Sequence, residues 1–246
     1  MIKYKYRAFI GDLHGSIKAL ESALDKIDLE TTEVFFLGDY VDRGKESKKV
    51  LEKLMELSER DNVHCILGNH DAMLLDFIET GDPLGLVNDP QLNTFKSFFP
   101  DRTLYYNSYY SIFDENNKDI TLDLRMALSK ETSIAWLKEL PLFLLRENQI
   151  IVHAGVDKTL DNWMLTESSD FYWIRPNLKI KNKTGKDIIM GHTVTYKFMK
   201  EYSLEKQPPI YISKETNEYF IDTYNYFFEN ARVLFYDIDE KKYFSE

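Results

Sequence analysis

The five histidines of this chain, His14, His64, His70, His153 and His192, are not scattered. Four of them come shortly after an apolar, strand-like run and have a glycine within three positions. Only His64 lies inside such a run, and it reads as a packed histidine. Imidazoles at strand ends can ligate a metal ion or move a proton. Acids, amides and an arginine accompany them, in Gly11-Asp12-Leu13-His14-Gly15, Gly38-Asp39-Tyr40-Val41-Asp42-Arg43-Gly44, Gly68-Asn69-His70-Asp71, His153-Ala154-Gly155 and Gly191-His192-Thr193.

In extended chain, residues two apart point to the same side, so Asp12 and His14 can grip one ion. Asp39 has two oxygens and can bridge two cations about 3.5–4 Å apart, the separation of two-metal sites. Arg43 offers a planar, permanently charged fork that suits phosphate oxygens, or else an ion pair with Asp42. Asn69 supplies a neutral amide oxygen. A nearby carboxylate such as Asp42 could hold His70 protonated, fitting it to be general acid for a leaving alkoxide. His153 and His192 each add one imidazole. Oxygen donors mixed with imidazoles suit a first-row pair, Mn²⁺ foremost, with Fe or Zn²⁺ as alternatives.

The elements that must position these motifs alternate. Short apolar runs at residues 7–10, 34–37 and 63–67 end in Gly-Asp, Gly-Asp and Gly-Asn. Between them, Ile17, Leu20, Leu24 and Ile27 share one helical face, with Ser16 as N-cap, and Val50, Leu51, Leu54 and Leu57 share another. This spacing predicts β-α-β-α-β units with right-handed crossovers and a largely parallel sheet. The three pairs then fall at C-terminal strand ends, where open α/β sheets bind ligands.

Residues 72–128 are less regular and read as a cap or insertion, with a helix over 72–78 stopped near Gly81 and Pro83. The aromatic piece at 95–113 reads as helix plus loop. Its Tyr105, Tyr106, Tyr109 and Tyr110 could line a substrate groove, although ordinary packing is the preferred reading. A helix is expected over 129–140, and strands over 150–152, 188–190, 219–223 and 233–238. No linker or repeat interrupts the pattern, so residues 1–246 read as one domain.

Composition narrows the partners. A net charge of −10 argues against general nucleic-acid binding, because phosphate backbones repel such a surface. A protein this acidic that acts on phosphate must supply positive charge locally, from metal ions or a few arginines. The single cysteine, Cys65, forbids an internal disulfide and fits a reducing compartment. By pattern it lies buried in a strand, a poor place for a nucleophile. The N-terminus lacks the apolar stretch of a signal peptide, and no apolar run approaches the roughly 18 residues of a membrane span. A soluble, cytoplasmic protein with no membrane partner is expected.

In their order, GDLHG, GDYVDRG, GNHD, HAG and GHT resemble the motifs of the calcineurin-like metallophosphoesterases. Within that superfamily the chain is most similar to the phosphoprotein phosphatase group and its compact bacterial and phage members. The resemblance spans residues 11–193. It implies a four-layer α/β/β/α sandwich of two mixed sheets with two divalent metal ions at one end. One ion would be held by Asp12, His14 and bridging Asp39, and the second by Asp39, Asn69, His153 and His192. A metal-bridging hydroxide would be the nucleophile, His70 the general acid and Asp42 its orienting partner. Arg43 would bind phosphate beside Asn69. Trp173-Ile174-Arg175 resembles the family's second phosphate-binding arginine, which makes Arg175 the partner clamp.

The activity so implied is phosphomonoester hydrolysis of the serine/threonine protein phosphatase type, on a phosphoprotein or a small phosphoester. Hydrolysis of dinucleoside polyphosphates, or of phosphodiesters, is the alternative on the same scaffold. The dinucleoside group typically has alanine where this chain has Asp42. Three departures bear on substrate preference. Val194 stands where the family often has proline. Tyr224 replaces glycine in Ile221-Asp222-Thr223-Tyr224. Asn225-Tyr226-Phe227-Phe228 takes the place of a glycine-rich stretch.

Overall fold

The computed structural model describes residues 4–107, 111–203 and 205–246. Tyr109 and Tyr110 lie outside the described residues. Strands β1 (Tyr6–Ile10), β2 (Thr32–Phe36) and β3 (Val63–Cys65) pair in parallel, with α1 (Ile17–Leu24) and α2 (Ser47–Leu57) as crossovers. The Ser16 hydroxyl accepts the Ala19 N–H and caps α1, as its sequence position predicts.

Both faces of these strands are buried, which is why they read as continuous apolar runs rather than alternating ones. Ala8, Ile10, Val34, Phe36 and Cys65 pack under the helices. Phe9 and Phe35 point the other way, where they meet Ile151 and Ile189 of a second sheet. Burial pushes the Cys65 thiol up, so it stays protonated.

Helices α3 (Asn69–Thr80), α4 (Leu84–Asn88) and α5 (Asn93–Phe98) follow, then the hairpin β4 (Tyr105–Tyr106) and β5 (Ile112–Phe113). Leu74, Phe77 and Phe95 of this stretch join the same hydrophobic cluster as α1 and α2. Tyr105 is exposed on β4, while Tyr106 packs against that cluster.

The helix expected over residues 129–140 is α7 (Thr132–Lys138), and a further helix that the sequence did not announce, α6 (Thr121–Leu128), precedes it. α6 is capped at Ser129, and Glu131, with extended backbone (φ −72°, ψ 132°), opens α7. No helix among the described residues is long and apolar enough to cross a membrane.

The second sheet comprises β6 (Phe143–Arg146), β7 (Gln149–Val152), β8 (Asp187–Met190), β9 (Tyr211–Ser213) and β10 (Glu218–Phe220), in the order β6-β7-β8-β10-β9. Short α8 (Asp170–Trp173) covers its outer face, where Phe171 and Trp163 pack on Val152 and Met190. After α9 (Asn225–Phe228) the chain returns to the first sheet. There β11 (Leu234–Asp237) lies antiparallel beside β1, and β12 (Lys242–Ser245) completes the order β12-β11-β1-β2-β3. The result is two mixed sheets face to face with helices outside them, the expected α/β/β/α layering.

A polar clamp ties the sheets together. The Glu33 carboxylate on β2 accepts hydrogen bonds from Arg7 on β1 (3.2 Å) and from Arg146 on β6 (2.8 Å), and lies 3.1 Å from His64 Nε2. Arg7 also donates to Gln149 on β7 at 2.9 Å. His64 is thus engaged structurally. Burial alone would raise Glu33, but His64 and Arg146 outweigh it and hold the carboxyl down to about 2.

Glu33→Gln should therefore destabilise the protein at pH 7, by on the order of 2 kcal/mol. Because the folded carboxyl sits below its ordinary value of 4.5, the contribution is full above that pH. It fades as pH falls towards about 2. Urea melts of both proteins at pH 7 and near pH 3 check this; a gap that does not narrow on acidification refutes it.

Candidate active site

The motifs after β1, β2 and β3 and those after β7 and β8 meet where the two sheets adjoin. Several site residues take left-handed backbone, with φ of 42° at His14, 56° at Asp39, 69° at Asp42, 64° at Arg43 and 58° at His192. Such conformations cost roughly 1 kcal/mol or more each in residues other than glycine. They turn the chain sharply enough to aim each side chain inward. Close approach demands glycine in turn. A Cβ on Gly68 would stand 2.3 Å from Asp39 Oδ1, and one on Gly191 2.2 Å from Asp12 Oδ1.

Asp39 is the hub. Its Oδ2 lies 3.6 Å from His14 Nε2, and its Oδ1 lies 3.3 Å from His153 Nε2. Asp12 Oδ2 stands 3.9 Å from His14 Nε2, while Asp12 Oδ1 accepts the His192 N–H at 3.0 Å. Asn69 Oδ1 sits 3.1 Å from His153 Nε2 and 2.8 Å from His192 Nδ1. All six side chains are buried.

The ligand atoms of Asp39, His153 and His192 lie within 4.8 Å of one another, and so do those of His14, Asp39 and His70. The second set contains His70 where the resemblance implies Asp12, which stands at its margin.

These donors fit divalent cations. His14 Nδ1 donates to the Val41 carbonyl (2.9 Å) and His153 Nδ1 to the Leu37 carbonyl (2.6 Å), so each ring turns its Nε2 into the site. The buried Nε2 atoms of His14 and His192 have no hydrogen-bond partner. Burial, reinforced by Arg43, holds His14 well below its ordinary value, and burial with His153 brings His192 down to about 2. Both rings are neutral, as ligands must be.

The acids crowd together. Asp12 is pushed well up by burial and by Asp222 beside it. Burial opposes charge on His153 too, but Asp39 outweighs it and lifts the ring to about 10. Divalent cations bound here would keep both acids ionised and displace the proton from His153, leaving all three rings neutral.

His70 is built differently. Its Nδ1 lies 2.7 Å from Asp42 Oδ2, and its Nε2 lies 3.2 Å from Arg43 Nη2. Burial resists protonation, but the Asp39 and Asp42 carboxylates prevail and raise the ring above its ordinary value. Asp42 spends its other oxygen on the Thr94 hydroxyl (2.9 Å), so both are engaged without Arg43. Exposed Arg175 donates to the His192 carbonyl (3.3 Å) and the Thr193 hydroxyl (3.4 Å). The structure thus sets Arg43 beside His70 and Arg175 beside His192.

Three supporting residues escaped the sequence reading. Asp71, wholly buried, accepts the N–H groups of Asp39 (2.8 Å), Tyr40 (2.9 Å) and Gly68 (3.0 Å), and so holds the hub loop. An acid in the first turn of a helix is a legible signal, and it stood in the GNHD motif itself. Thr94 comes from α5 and belongs to no motif. Asp222 is buried near Asp12 and accepts the Tyr224 N–H at 3.1 Å.

Among known proteins, the chain is similar to "Bis(5'-nucleosyl)-tetraphosphatase, symmetrical" of Janthinobacterium sp. (strain Marseille), with 30% identity over 161 residues. The match covers 65% of this chain and 46% of that protein, so the chain spans about half the length of the curated relative. Among solved structures it is similar to a protein taken to be a diadenosine tetraphosphatase (TM-score 0.62, 14% identity, covering 98% of this chain and 92% of that one). It is also similar to a protein serine/threonine phosphatase from Saccharomyces cerevisiae (TM-score 0.57, 14% identity, covering 98% and 78%). At 14% identity these likenesses speak for the fold alone. The family model of the calcineurin-like phosphoesterases matches residues 7–235, nearly the whole chain. The chain belongs to the calcineurin-like phosphoesterases.

Proposed function

We propose that this phosphoesterase hydrolyses phosphomonoesters with two divalent metal ions, in the manner of serine/threonine protein phosphatases. The observation that carries the reading is the 2.7 Å contact between His70 Nδ1 and Asp42, set beside an Asp39 carboxylate that serves both ligand groups. Asp12, His14, Asp39, Asn69, His153 and His192 would hold the ions, Mn²⁺ foremost. When bound, such ions supply positive charge for the phosphoryl oxygens and acidify water enough for it to act near neutral pH.

The chain's own groups do the rest. Arg43 and Arg175 bind phosphoryl oxygens, with Asn69 beside them. Arg43 now occupies His70 Nε2, so a phosphoryl group that draws the guanidinium to itself also frees that nitrogen. Once freed, Nε2 takes up a proton from solvent and gives it to the leaving oxygen as the bond to phosphorus breaks, while Nδ1–H stays hydrogen-bonded to Asp42. A second reading, hydrolysis of dinucleoside polyphosphates, is favoured by the name of the 30% identical relative.

Dialysis against a chelator should abolish hydrolysis, and Mn²⁺ should restore it. Mn²⁺ should also raise the melting temperature by several degrees, because it binds the folded site alone. Full turnover by the chelated protein would remove the ions from the mechanism.

His70→Asn should lower kcat by roughly 10²–10⁴ while Mn²⁺ content stays the same. Asp42→Asn should show a weaker form of the same defect. Loss of an ion on His70→Asn would make that residue a ligand instead of the acid.

With two arginine forks for one terminal phosphoryl group, phosphopeptides and p-nitrophenyl phosphate should outpace bis-p-nitrophenyl phosphate in kcat/KM. The same assay with diadenosine tetraphosphate decides between the two readings. A dinucleotide preferred by tenfold or more would replace the first with the second.

A further inference from the structure

The segment that departs most from the family pattern borders the candidate site. Tyr226, on α9, sets its ring edge-to-face against His14, with centroids 5.3 Å apart at 82°. The Arg43 guanidinium stands 5.4 Å from the centre of the same ring. Tyr224, in left-handed backbone (φ 62°), packs its ring against Tyr226 with centroids 5.3 Å apart. Tyr196 in turn sets its ring edge-to-face against Tyr224 at 5.8 Å, and it stacks on Tyr202 at 4.8 Å.

The base of the segment is anchored as well. Asn225 is fully buried, and its Oδ1 accepts from Thr223 (2.7 Å) and Gln207 (3.2 Å). Where the resemblance leads one to expect a flexible glycine-rich turn, this chain has a braced aromatic wall.

Arg43 needs such a wall. Both oxygens of its neighbour Asp42 are engaged by His70 and Thr94. An exposed arginine side chain keeps rotamer freedom that binding a phosphate must first remove. The face of Tyr226 offers the guanidinium a resting place beside the site, through cation–π attraction.

We infer that Tyr226 is a positioning residue that holds Arg43 ready for the phosphoryl group, with Tyr224 and Tyr196 as its brace. The inference rests on the proposed function in one respect, that Arg43 binds phosphate.

The test uses the Mn²⁺-loaded enzyme, p-nitrophenyl phosphate as substrate and inorganic phosphate as competitive inhibitor. Tyr226→Leu should raise KM and the phosphate inhibition constant together, by about three- to twentyfold, with kcat little changed. Tyr226→Phe keeps the ring and should stay close to wild type. In an Arg43→Ala background, Tyr226→Leu should add nothing, since the partner it positions is gone.

Tyr226→Met, which fills similar space without a ring face, repeats the measurement if the leucine variant is unstable. An equal loss in both backgrounds overturns the inference. So does a Tyr226→Leu defect that follows a smaller Mn²⁺-induced melting shift, which would route the effect through His14. Arg43→Ala alone is a separate arm: an unchanged inhibition constant there strikes the phosphate-binding role in the proposed function.

Discussion

Asp39 has to face two ways, and much of the molecule is arranged so that it can. One oxygen looks towards His14 and the other towards His153. The latter also accepts the His70 N–H at 2.9 Å, which fixes the carboxylate's rotation. Left-handed backbone at Asp39 makes the turn, the Asp71 carboxylate ties down its N–H, and Gly68 leaves it room. Burying a carboxylate is expensive unless it is hydrogen-bonded and matched in charge. Burial resists the charge on Asp39, yet His153 and His70 hold it well below the usual carboxylate range.

The same constraint explains why two sheets are needed. Asp39 comes from the first and His153 from the second, and His153 is oriented by the Leu37 carbonyl of the first. The Glu33 clamp and the apolar layer of Phe9, Phe35, Ile151 and Ile189 fix the spacing between them. Tyr40 reinforces the junction, because its hydroxyl accepts the Gly38 N–H and lies 2.8 Å from the Ile66 carbonyl, spanning the ends of β2 and β3. Small displacements of either sheet would therefore be felt at the hub.

The legible parts of this molecule were those with a local signature. Strands buried on both faces announced themselves as apolar runs, and the motifs at their ends named the residues that converge. Edge strands β6, β9 and β12 did not, because their half-exposed residues mix polar and apolar types without a clear period. The start of α7 after Glu131 depends on backbone torsion that helix periodicity does not encode. Thr94 reaches Asp42 only because α5 packs there, a tertiary fact with no motif. The tail was visible as a departure from the family pattern, but the contact between Tyr226 and Arg43, 183 residues apart by their numbers, was not.

The strand order carries a consequence for how the chain is made. β1 pairs on one side with β2, but its other neighbour, β11, begins only at Leu234. At about 5–20 residues per second on the ribosome, that edge of β1 waits roughly 10–45 seconds for its partner. An open apolar edge is a template for pairing with the wrong chain. Arg7, a charge at the second position of β1, is the kind of residue that discourages such pairing until β11 arrives. His192 also emerges late, 180 residues after the Asp12 oxygen that accepts its N–H, so a nascent chain lacks part of the candidate ligand cluster for most of its synthesis.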